Sequence, residues 1–257
     1  MALPCPHNAR LEVCIASLED AIVAAHRGAD RLELNSALPL GGLTPSLGLL
    51  RRVRQAVRIP VIAMVRPRAG GFCYNDGDLA VMLEDTAALL HEGADGVAFG
   101  VLKEDGSVDV RRCALLMHEI GPAQAVFHRA FDVTPDPFAA MEALIDLGVP
   151  RIMTSGQQPT AEAGTKMIKE LIDRAAGRIE ILAAGSIRPH NVAALIAATK
   201  CDQVHASLRS LREDRSTQAR PALRFSVEHN LREDQLDGTD EAMVREMVER
   251  MKGQCRP

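Results

Sequence analysis

In Gly28-Ala29-Asp30-Arg31-Leu32-Glu33-Leu34, a glycine that can end a helix is joined directly to a short run of strand-forming residues. The same order recurs at Gly93-Ala94-Asp95-Gly96-Val97 and at Gly148-Val149-Pro150-Arg151-Ile152. Another helical stretch follows each of these runs. The recurrence predicts a chain built from repeated strand–helix units.

Eight short aliphatic runs of this kind occur along the chain. They begin near Arg10, Arg31, Pro60, Asp95, Gln124, Arg151, Ile179 and Asp202. Consecutive starts are 21 to 35 residues apart, which is room for one strand and one helix. Eight such units in about 250 residues predict an α/β fold, the (β/α)8 TIM barrel. A dinucleotide-binding sheet is disfavoured because residues 12–17, the first strand-to-helix turn, lack a G-x-G-x-x-G motif.

The whole chain, residues 1–257, is interpreted as a single barrel domain with a C-terminal extension. The barrel core is expected over residues 10–208. Residues 209–241 contain 14 charged residues in 33 positions, which predicts a long solvated arm. Met243, Met247 and Met251 then return to helical spacing, so a closing helix is predicted over residues 241–252.

Composition and charge disfavour several classes of partner. With 30 Lys and Arg against 34 Asp and Glu, the net charge of −4 provides no field that attracts nucleic acid, and the chain has no Trp and one Tyr for stacking bases. No apolar run reaches about 18 residues and no signal peptide is evident, so we expect a cytoplasmic protein without a membrane partner. The six cysteines form no Cys-x-x-Cys pair and are expected to be free thiols.

Alternation along each strand separates side chains that face the helices from those that face the barrel interior. Glu12 and Cys14 share the inward parity of the first strand, and Glu33 has that parity in the second. His128 at the end of the fifth strand and His205 in the eighth point into the same volume. Two carboxylates and two imidazoles there are suited to general acid/base catalysis. The alternative is that each is a paired structural group.

Arginines and a further carboxylate extend this candidate site. Arg66 and Arg68 share one side of the third strand end, and their guanidinium groups suit a carboxylate or a phosphate. Alternatively, they only neutralise nearby carboxylates. If the fifth strand continues through Arg129, Asp132 has the same parity as His128. We expect Arg129 to help bind a substrate, and Asp132 to orient a base or carry a second proton.

Small-residue turns after the sixth and seventh strands are candidates for binding phosphate. These turns contain Ser155 and Gly156 in one loop, and Gly185 and Ser186 in the other. In barrels, the loops after the late strands often bind phosphate through backbone N–H groups. Glycine at such turns also has a purely conformational explanation.

Several motifs together resemble the CutC family, which is named for copper homeostasis. They are Leu11-Glu12-Val13-Cys14, Arg31-Leu32-Glu33-Leu34, Gly41-Gly42-Leu43-Thr44-Pro45-Ser46, Met64-Val65-Arg66-Pro67-Arg68, Phe127-His128-Arg129-Ala130-Phe131-Asp132 and Thr154-Ser155-Gly156. The resemblance extends from Leu11 to Arg209. It implies a (β/α)8 barrel, a cytosolic location, a homo-oligomer and the binding of Cu(I).

Cys14 matches the cysteine that this family has in its first strand. The second strand ends in cysteine in many members, but here it ends in Asn35, so the resemblance supplies one thiolate for Cu(I) instead of two. Cys14 also has a simpler interpretation, as a small inward-facing core residue.

Two functions from different classes follow from these residues. The first is a protein that binds or handles Cu(I), with Cys14 as the candidate ligand. The second is a barrel enzyme of lyase or isomerase type that acts on a small anionic or polyhydroxylated metabolite. In a further variant, four of the inward residues bind a harder divalent metal; they are Glu12, Glu33, His128 and His205.

Overall fold

The computed structural model describes residues 9–220, 222–223, 225 and 233–252 of the chain. Eight parallel strands close into a barrel, each hydrogen-bonded to the next, and the eighth pairs with the first. The strands are β1 Arg10–Ile15, β2 Arg31–Leu34, β3 Val61–Met64, β4 Gly96–Phe99, β5 Gln124–Phe127, β6 Arg151–Thr154, β7 Glu180–Ala183 and β8 Gln203–Ala206. Every strand begins within one residue of its predicted start. The predicted (β/α)8 barrel is confirmed.

Helices connect the strands and form the outer ring. They are α1 Leu18–His26, α2 Leu47–Ala56, α3 Asp76–His91, α4 Val110–Ile120, α5 Pro137–Asp146, α6 Thr165–Ala175 and α7 Val192–Thr199. Side chains fix their starts. The Ser17 hydroxyl accepts the Asp20 N–H at 3.0 Å, and the Asp136 carboxylate accepts the N–H groups of Phe138 and Ala139. Gly28 has φ +98°, the left-handed conformation that lets the chain leave α1 and enter β2.

The side chains of the strands alternate as the parity argument predicts. Leu11, Val13 and Ile15 are fully buried in the layer between the strands and the helices. The opposite parity fills the barrel with a second, aliphatic cluster. Its members are Ile62, Met64, Ala98, Val126, Met153, Leu182 and Ala184. Because these side chains fill the interior, the barrel needs no tryptophan.

A layer of buried polar side chains lies below this cluster, at the N-terminal ends of the strands. Arg151 Nε donates to Glu180 Oε2 at 2.7 Å, and Gln203 Nε2 donates to the same oxygen at 3.1 Å. Arg31 Nη2 donates to Gln203 Oε1 at 3.0 Å, and Arg31 Nε forms an ion pair with Glu12. The charges at the base of the barrel are therefore paired, as buried charges require.

The arm predicted over residues 209–241 is more ordered than expected. Strands β9 Arg209–Glu213 and β10 Gln235–Thr239 pair as an antiparallel two-stranded sheet. Arg209 forms an ion pair with the buried Asp20 at 2.9 Å and thereby fastens the sheet to the start of α1. Helix α8, Glu241–Lys252, then packs beside α1 and α7. Charge content alone does not reveal such cross-strand pairing.

The four described cysteines are free thiols, namely Cys14, Cys73, Cys113 and Cys201. Cys5 and Cys255 lie outside the described residues. Within the described part of the chain, no helix has both the length and the apolar character needed to cross a membrane.

Candidate functional site

A cavity of about 340 Å³ opens at the C-terminal ends of the barrel strands, the end at which TIM barrels place their functional residues. Its wall is formed by strand ends and the loops that follow them. The lining residues are Cys14, Glu33, Asn35, Leu38, Gly41, Met64, Arg66, Phe72, His128, Arg129, Met153, His205 and Ser207. Six of the residues proposed from the sequence therefore share one cavity.

His205 is held by Glu12, which lies opposite it in the pairing of β1 with β8. His205 Nδ1 is 2.8 Å from Glu12 Oε1, and its Nε2 is 3.9 Å from Glu33 Oε2. Burial alone would raise the pKa of Glu12, but the hydrogen bond from His205 and the charge of Arg31 outweigh it and lower the pKa to about 2. Glu12 is thus an ionised carboxylate below the cavity floor, where it fixes the orientation of the imidazole.

The charge state of His205 follows from the same contacts. Burial acts to lower its pKa, but the nearby Glu33 carboxylate and the hydrogen bonds to Cys14 and Glu12 raise it well above 6.5. His205 is therefore an imidazolium at neutral pH, with Nδ1–H donating to Glu12 and Nε2–H directed toward the cavity.

Cys14, Glu33 and His205 form a compact group of potential ligands. One ligand atom from each, the thiol sulfur, a carboxylate oxygen and a ring nitrogen, all lie within 4.8 Å of one another. Asn35 braces this group, because its Nδ2 donates to Glu33 Oε2 at 2.9 Å and to Cys14 Sγ at 3.4 Å. Burial raises the pKa of the Cys14 thiol and of the Glu33 carboxyl, so both hold their protons more tightly than in water.

Arg66 lies across the cavity and is held by the backbone of two loops. Its guanidinium donates to the carbonyl oxygens of Leu40 at 2.9 Å, Gly42 at 3.1 Å and Gly70 at 2.7 Å. Among the described residues it forms no ion pair with a carboxylate. The idea that Arg66 neutralises Glu12, Glu33 or Asp132 is therefore wrong, because Glu12 is paired with Arg31 and His205, and Asp132 with Arg129.

His128 is buried beside Arg66 and Phe72, whose ring centroid is 5.1 Å from that of the imidazole. Burial and the charge of Arg66 lower the pKa of His128 to about 3, so this imidazole is neutral. Its Nδ1 accepts the N–H of Ala130 at 3.1 Å, and its Nε2 has no partner. The two histidines predicted from the sequence therefore differ in charge, and His128 is a weak base.

Arg68 and Asp132 are among the predicted residues that do not line the cavity. Arg68 turns outward, where its Nε donates to Asp78 at 2.9 Å and its guanidinium covers the ring of Tyr74. Asp132 does not continue β5, because that strand ends at Phe127 and Arg129–Val133 form a 3-10 helix. The shared parity proposed for Asp132 and His128 was wrong for this reason.

Asp132 instead organises the turn after β6. Its carboxylate accepts the Ser155 N–H at 2.9 Å and the Thr154 hydroxyl at 2.5 Å, and Arg129 Nε donates to it at 2.7 Å. The Gly156 N–H donates to Thr154 Oγ1 at 2.9 Å. The N–H groups of Ser155 and Gly156 are thus already occupied and are not free for a phosphate.

The turn after β7 serves packing in a similar way. Gly185 has φ +106° and its carbonyl accepts the N–H of Ala161 at 2.9 Å. A Cβ at Gly185 would lie 2.8 Å from the Cβ of Ser155, so this position requires glycine. Neither Gly185 nor Ser186 lines the cavity.

Other lining residues were not proposed as site residues from the sequence. Met64 and Met153 line the cavity and share the inward parity of β3 and β6, so strand alternation could have identified them. Phe72 comes from a loop, and its ring lies 5.3 Å from the Arg66 guanidinium carbon. No periodic pattern precedes Phe72, and its position depends on tertiary packing.

The fold and this cavity define a (β/α)8-barrel protein with a pocket at the C-terminal ends of its strands, lined by both charged and apolar side chains. The sequence model of the CutC family matches residues 9–210. The chain belongs to the CutC family.

Named relatives agree with this assignment. A CutC family protein from Treponema denticola is 47% identical over 218 residues, covering 85% of this chain and 89% of the relative. A human protein described as a copper homeostasis protein cutC homolog is 44% identical over 203 residues, covering 79% of this chain and 74% of that protein.

Solved structures agree as well. A crystal structure from Streptococcus agalactiae, assigned as the copper homeostasis protein CutC, superposes with a TM-score of 0.73 at 32% identity. It covers 77% of this chain, and 97% of that chain is matched. A phosphoribosylanthranilate isomerase from Thermotoga maritima superposes with a TM-score of 0.56 at 15% identity, covering 95% of this chain and 99% of the isomerase, a likeness of fold alone.

Proposed function

We propose that the cavity binds Cu(I), with Cys14 and His205 as the principal ligands and Glu33 beside them. The observation that carries this proposal is the 4.8 Å grouping of their ligand atoms. Thiolate is a soft ligand and imidazole suits copper, whereas a carboxylate is a hard ligand and ranks third. The relatives named for copper homeostasis support the same metal.

The contact between Glu12 and His205 supports the proposal. A histidine that ligates a metal through one nitrogen usually donates the other N–H to a carboxylate, which orients the ring. Glu12 makes this contact with Nδ1 and so reserves Nε2 for the cavity. Glu12 itself is paired with Arg31, and neither it nor His128 belongs to the compact ligand group, which disfavours the harder divalent metal site.

The sulfur atoms in the cavity wall also favour Cu(I) as the bound metal. The thioethers of Met64 and Met153 are part of its wall, and thioethers are ligands that Cu(I) accepts. Asn35 supplies an amide at the end of β2, so Cys14 is the one thiolate that the lining residues offer. A cytosolic location and assembly into a homo-oligomer complete the proposal, on the family resemblance alone.

The test is a Cu(I) titration against a competing chelator. Cys14→Ala should weaken Cu(I) binding by about a hundredfold or more, since it removes the softest ligand. Cys113→Ala is the matched control, because Cys113 is also buried but lies in α4 away from the cavity. Cys73 is exposed, so both variants are made in a Cys73→Ala background to remove adventitious binding. Equal affinities of Cys14→Ala and Cys113→Ala would contradict the proposal.

A second function, acid/base chemistry on a small anion, is favoured by a different observation. The guanidinium of Arg66 is buried against the cavity without a carboxylate partner among the described residues. Glu33 and the His205 imidazolium could exchange protons with a bound anion beside it. The test is a thermal-shift screen of small anions in which Arg66→Lys abolishes the stabilisation. Stabilisation that does not depend on Arg66 would exclude it as the anchor.

A further inference from the structure

The two-stranded sheet formed by β9 and β10 exposes large apolar side chains. Leu211, at the centre of β9, is 55% exposed, and Leu236 in β10 is 54% exposed. The sheet lies outside the closed barrel. A two-stranded sheet on its own buries little apolar surface and is at best marginally stable in water. A further strand beside β9 or β10 would therefore stabilise it.

The outer edge of β10 is covered by the protein itself. The Thr239 N–H donates to Asp20 Oδ1 at 2.7 Å, and the Thr239 carbonyl accepts from Arg212 at 2.9 Å. The Asp237 carbonyl accepts from Arg209 at 2.6 Å. Helix α1, which contains Asp20, packs against this strand. An additional strand therefore has no access to the backbone of β10.

The outer edge of β9 has no strand beside it in the described part of the chain, because this sheet has two strands. The Asp214 N–H, directly after β9, donates to the Asp234 carbonyl at 2.8 Å, so the even-numbered residues direct their backbone groups toward β10. Backbone groups alternate along a strand, and those of Arg209, Leu211 and Glu213 therefore point outward. Water can satisfy these exposed groups, so the partner has to be inferred from the side chains.

The sequence of β9 suits a second copy of the same strand. It reads Arg209-Ser210-Leu211-Arg212-Glu213, with an arginine and a glutamate at equal distances from Leu211. If two copies pair antiparallel around Leu211, the two leucines lie opposite each other and Arg209 lies opposite Glu213 of the second copy. Opposed apolar side chains and opposite charges stabilise antiparallel pairs. The edge is therefore self-complementary, as a twofold contact requires.

The backbone register agrees with this pairing. Leu211, Arg209 and Glu213 all direct their N–H and carbonyl groups outward, and the pairing places each of them opposite another member of this set. An antiparallel ladder forms only when such groups face each other, so a shift by one residue would lose its hydrogen bonds. The arginine side chains leave the edge open, because Arg209 turns to Asp20 and Arg212 to Glu19.

We propose that two copies of this chain associate by antiparallel pairing of their β9 edges around a twofold axis at Leu211. The pairing joins the two sheets into one sheet of four strands. The proposal rests on the homo-oligomer included in the proposed function and identifies its contact surface. It does not depend on the binding of Cu(I) or of an anion.

The first arm of the test measures the mass of the full chain by sedimentation equilibrium. The wild type should be a dimer. Leu211→Asp places two carboxylates opposite each other at the axis, so the dissociation constant of the dimer should rise by about tenfold or more. Leu115→Asp is the matched control, since Leu115 is 50% exposed on α4, and it should leave the dissociation constant unchanged.

The second arm tests the backbone pairing. Leu211→Pro removes an N–H that points away from β10, and proline is tolerated at such an edge position. By symmetry the substitution removes two hydrogen bonds across the axis, so Leu211→Pro should weaken the dimer about tenfold more than Leu211→Ala, which keeps the N–H. Circular dichroism and thermal unfolding establish that each variant is folded. If Leu211→Pro does not fold, the comparison of Leu211→Asp with Leu115→Asp decides the matter.

The outcomes separate the contact surface from the oligomer itself. A wild type that is monomeric at its highest soluble concentration would overturn both. A dimer that Leu115→Asp weakens as much as Leu211→Asp would overturn the β9 contact and leave the homo-oligomer standing. Equal dissociation constants for Leu211→Pro and Leu211→Ala would overturn the pairing of the two backbones. The Cu(I) and anion proposals are decided separately, by their own assays.

Discussion

His205 and Glu12 are joined by a 2.8 Å contact between Nδ1 and Oε1, and this contact directs the other ring nitrogen of His205 toward Glu33 and Cys14. It connects the two polar regions of the barrel interior. Below it, Glu12 is paired with Arg31 in the layer of buried ion pairs. Above it, the imidazole borders the cavity. The orientation of His205 in the cavity wall therefore depends on Glu12, which does not itself line the cavity.

Removing the Glu12 charge should destabilise the protein strongly. Glu12→Gln leaves Arg31 buried without a carboxylate and removes the carboxylate that accepts from His205, so we expect a loss of about 3–5 kcal/mol in the free energy of unfolding at pH 7. Urea denaturation measures it. Glu142→Gln is the control, because the pair of Glu142 with Arg178 is about half exposed and should contribute less than about 1 kcal/mol. Similar losses in both variants would contradict the role of Glu12.

The stabilisation that Glu12 provides should depend on pH. The folded pKa of Glu12 is about 2, against an ordinary value of 4.5. The ionised carboxylate therefore stabilises the fold above about pH 4.5, and this stabilisation is lost as the pH falls toward 2. The difference in unfolding free energy between wild type and Glu12→Gln should shrink across this window. If the unfolding free energies of wild type and Glu12→Gln differ by the same amount at pH 5 and pH 2.5, Glu12 is not the group whose protonation lowers stability.

Binding of Cu(I) should tighten as the pH rises. The thiol of Cys14 and the imidazole of His205 both have raised pKa values, so both are protonated at pH 7, and the metal has to displace these protons. Chelator competition between pH 6 and pH 8 should show release of about two protons per ion. In Cys14→Ala the number of protons released per bound ion should fall to about one. Affinity that does not change with pH would mean that other groups bind the metal.

Adding a second thiolate should strengthen Cu(I) binding. Asn35 contacts both Cys14 and Glu33, so Asn35→Cys places a new sulfur next to the existing one. Because Cu(I) prefers sulfur ligands, we expect affinity to rise by about tenfold or more in the same chelator assay. Asn35→Ser is the matched control, being small and polar but without sulfur. An equal effect of both variants would exclude direct ligation at this position.

Gly42 should tolerate no side chain. Its φ is +84°, and a Cβ would meet Asn35 Oδ1 at 2.3 Å, so Gly42→Ala should cost about 1–3 kcal/mol of stability in urea denaturation. Gly71→Ala is the control in the neighbouring loop, since a Cβ there has nothing within 4 Å. If Gly42→Ala and Gly71→Ala are equally stable, the close approach of position 42 to Asn35 does not require a glycine there.

The strands and their inward faces could be predicted from the sequence because both are local properties. Alternation within β1 and β2 places Glu12, Cys14 and Glu33 inside, and the structure agrees. The same reasoning applied to β5 placed His128 correctly in the cavity wall.

The positions of Asp132 and Arg68 were beyond that reasoning. After Phe127 the chain turns, because His128 Nδ1 accepts the N–H of Ala130 and starts a 3-10 helix, so strand parity no longer applies at Asp132. Arg68 is drawn outward by Asp78 in α3. The partners of Asp132 on the β6 turn are likewise set by tertiary contacts that alternation does not encode.

Ligation of Cu(I) by Cys14 and His205 can be observed by X-ray absorption at the copper edge of the Cu(I)-loaded chain, in the Cys73→Ala background. We expect a sulfur scatterer and the scattering pattern of a histidine ring, with loss of the sulfur contribution in Cys14→Ala and of the ring contribution in His205→Ala. A spectrum without sulfur, or one that neither substitution changes, would contradict it.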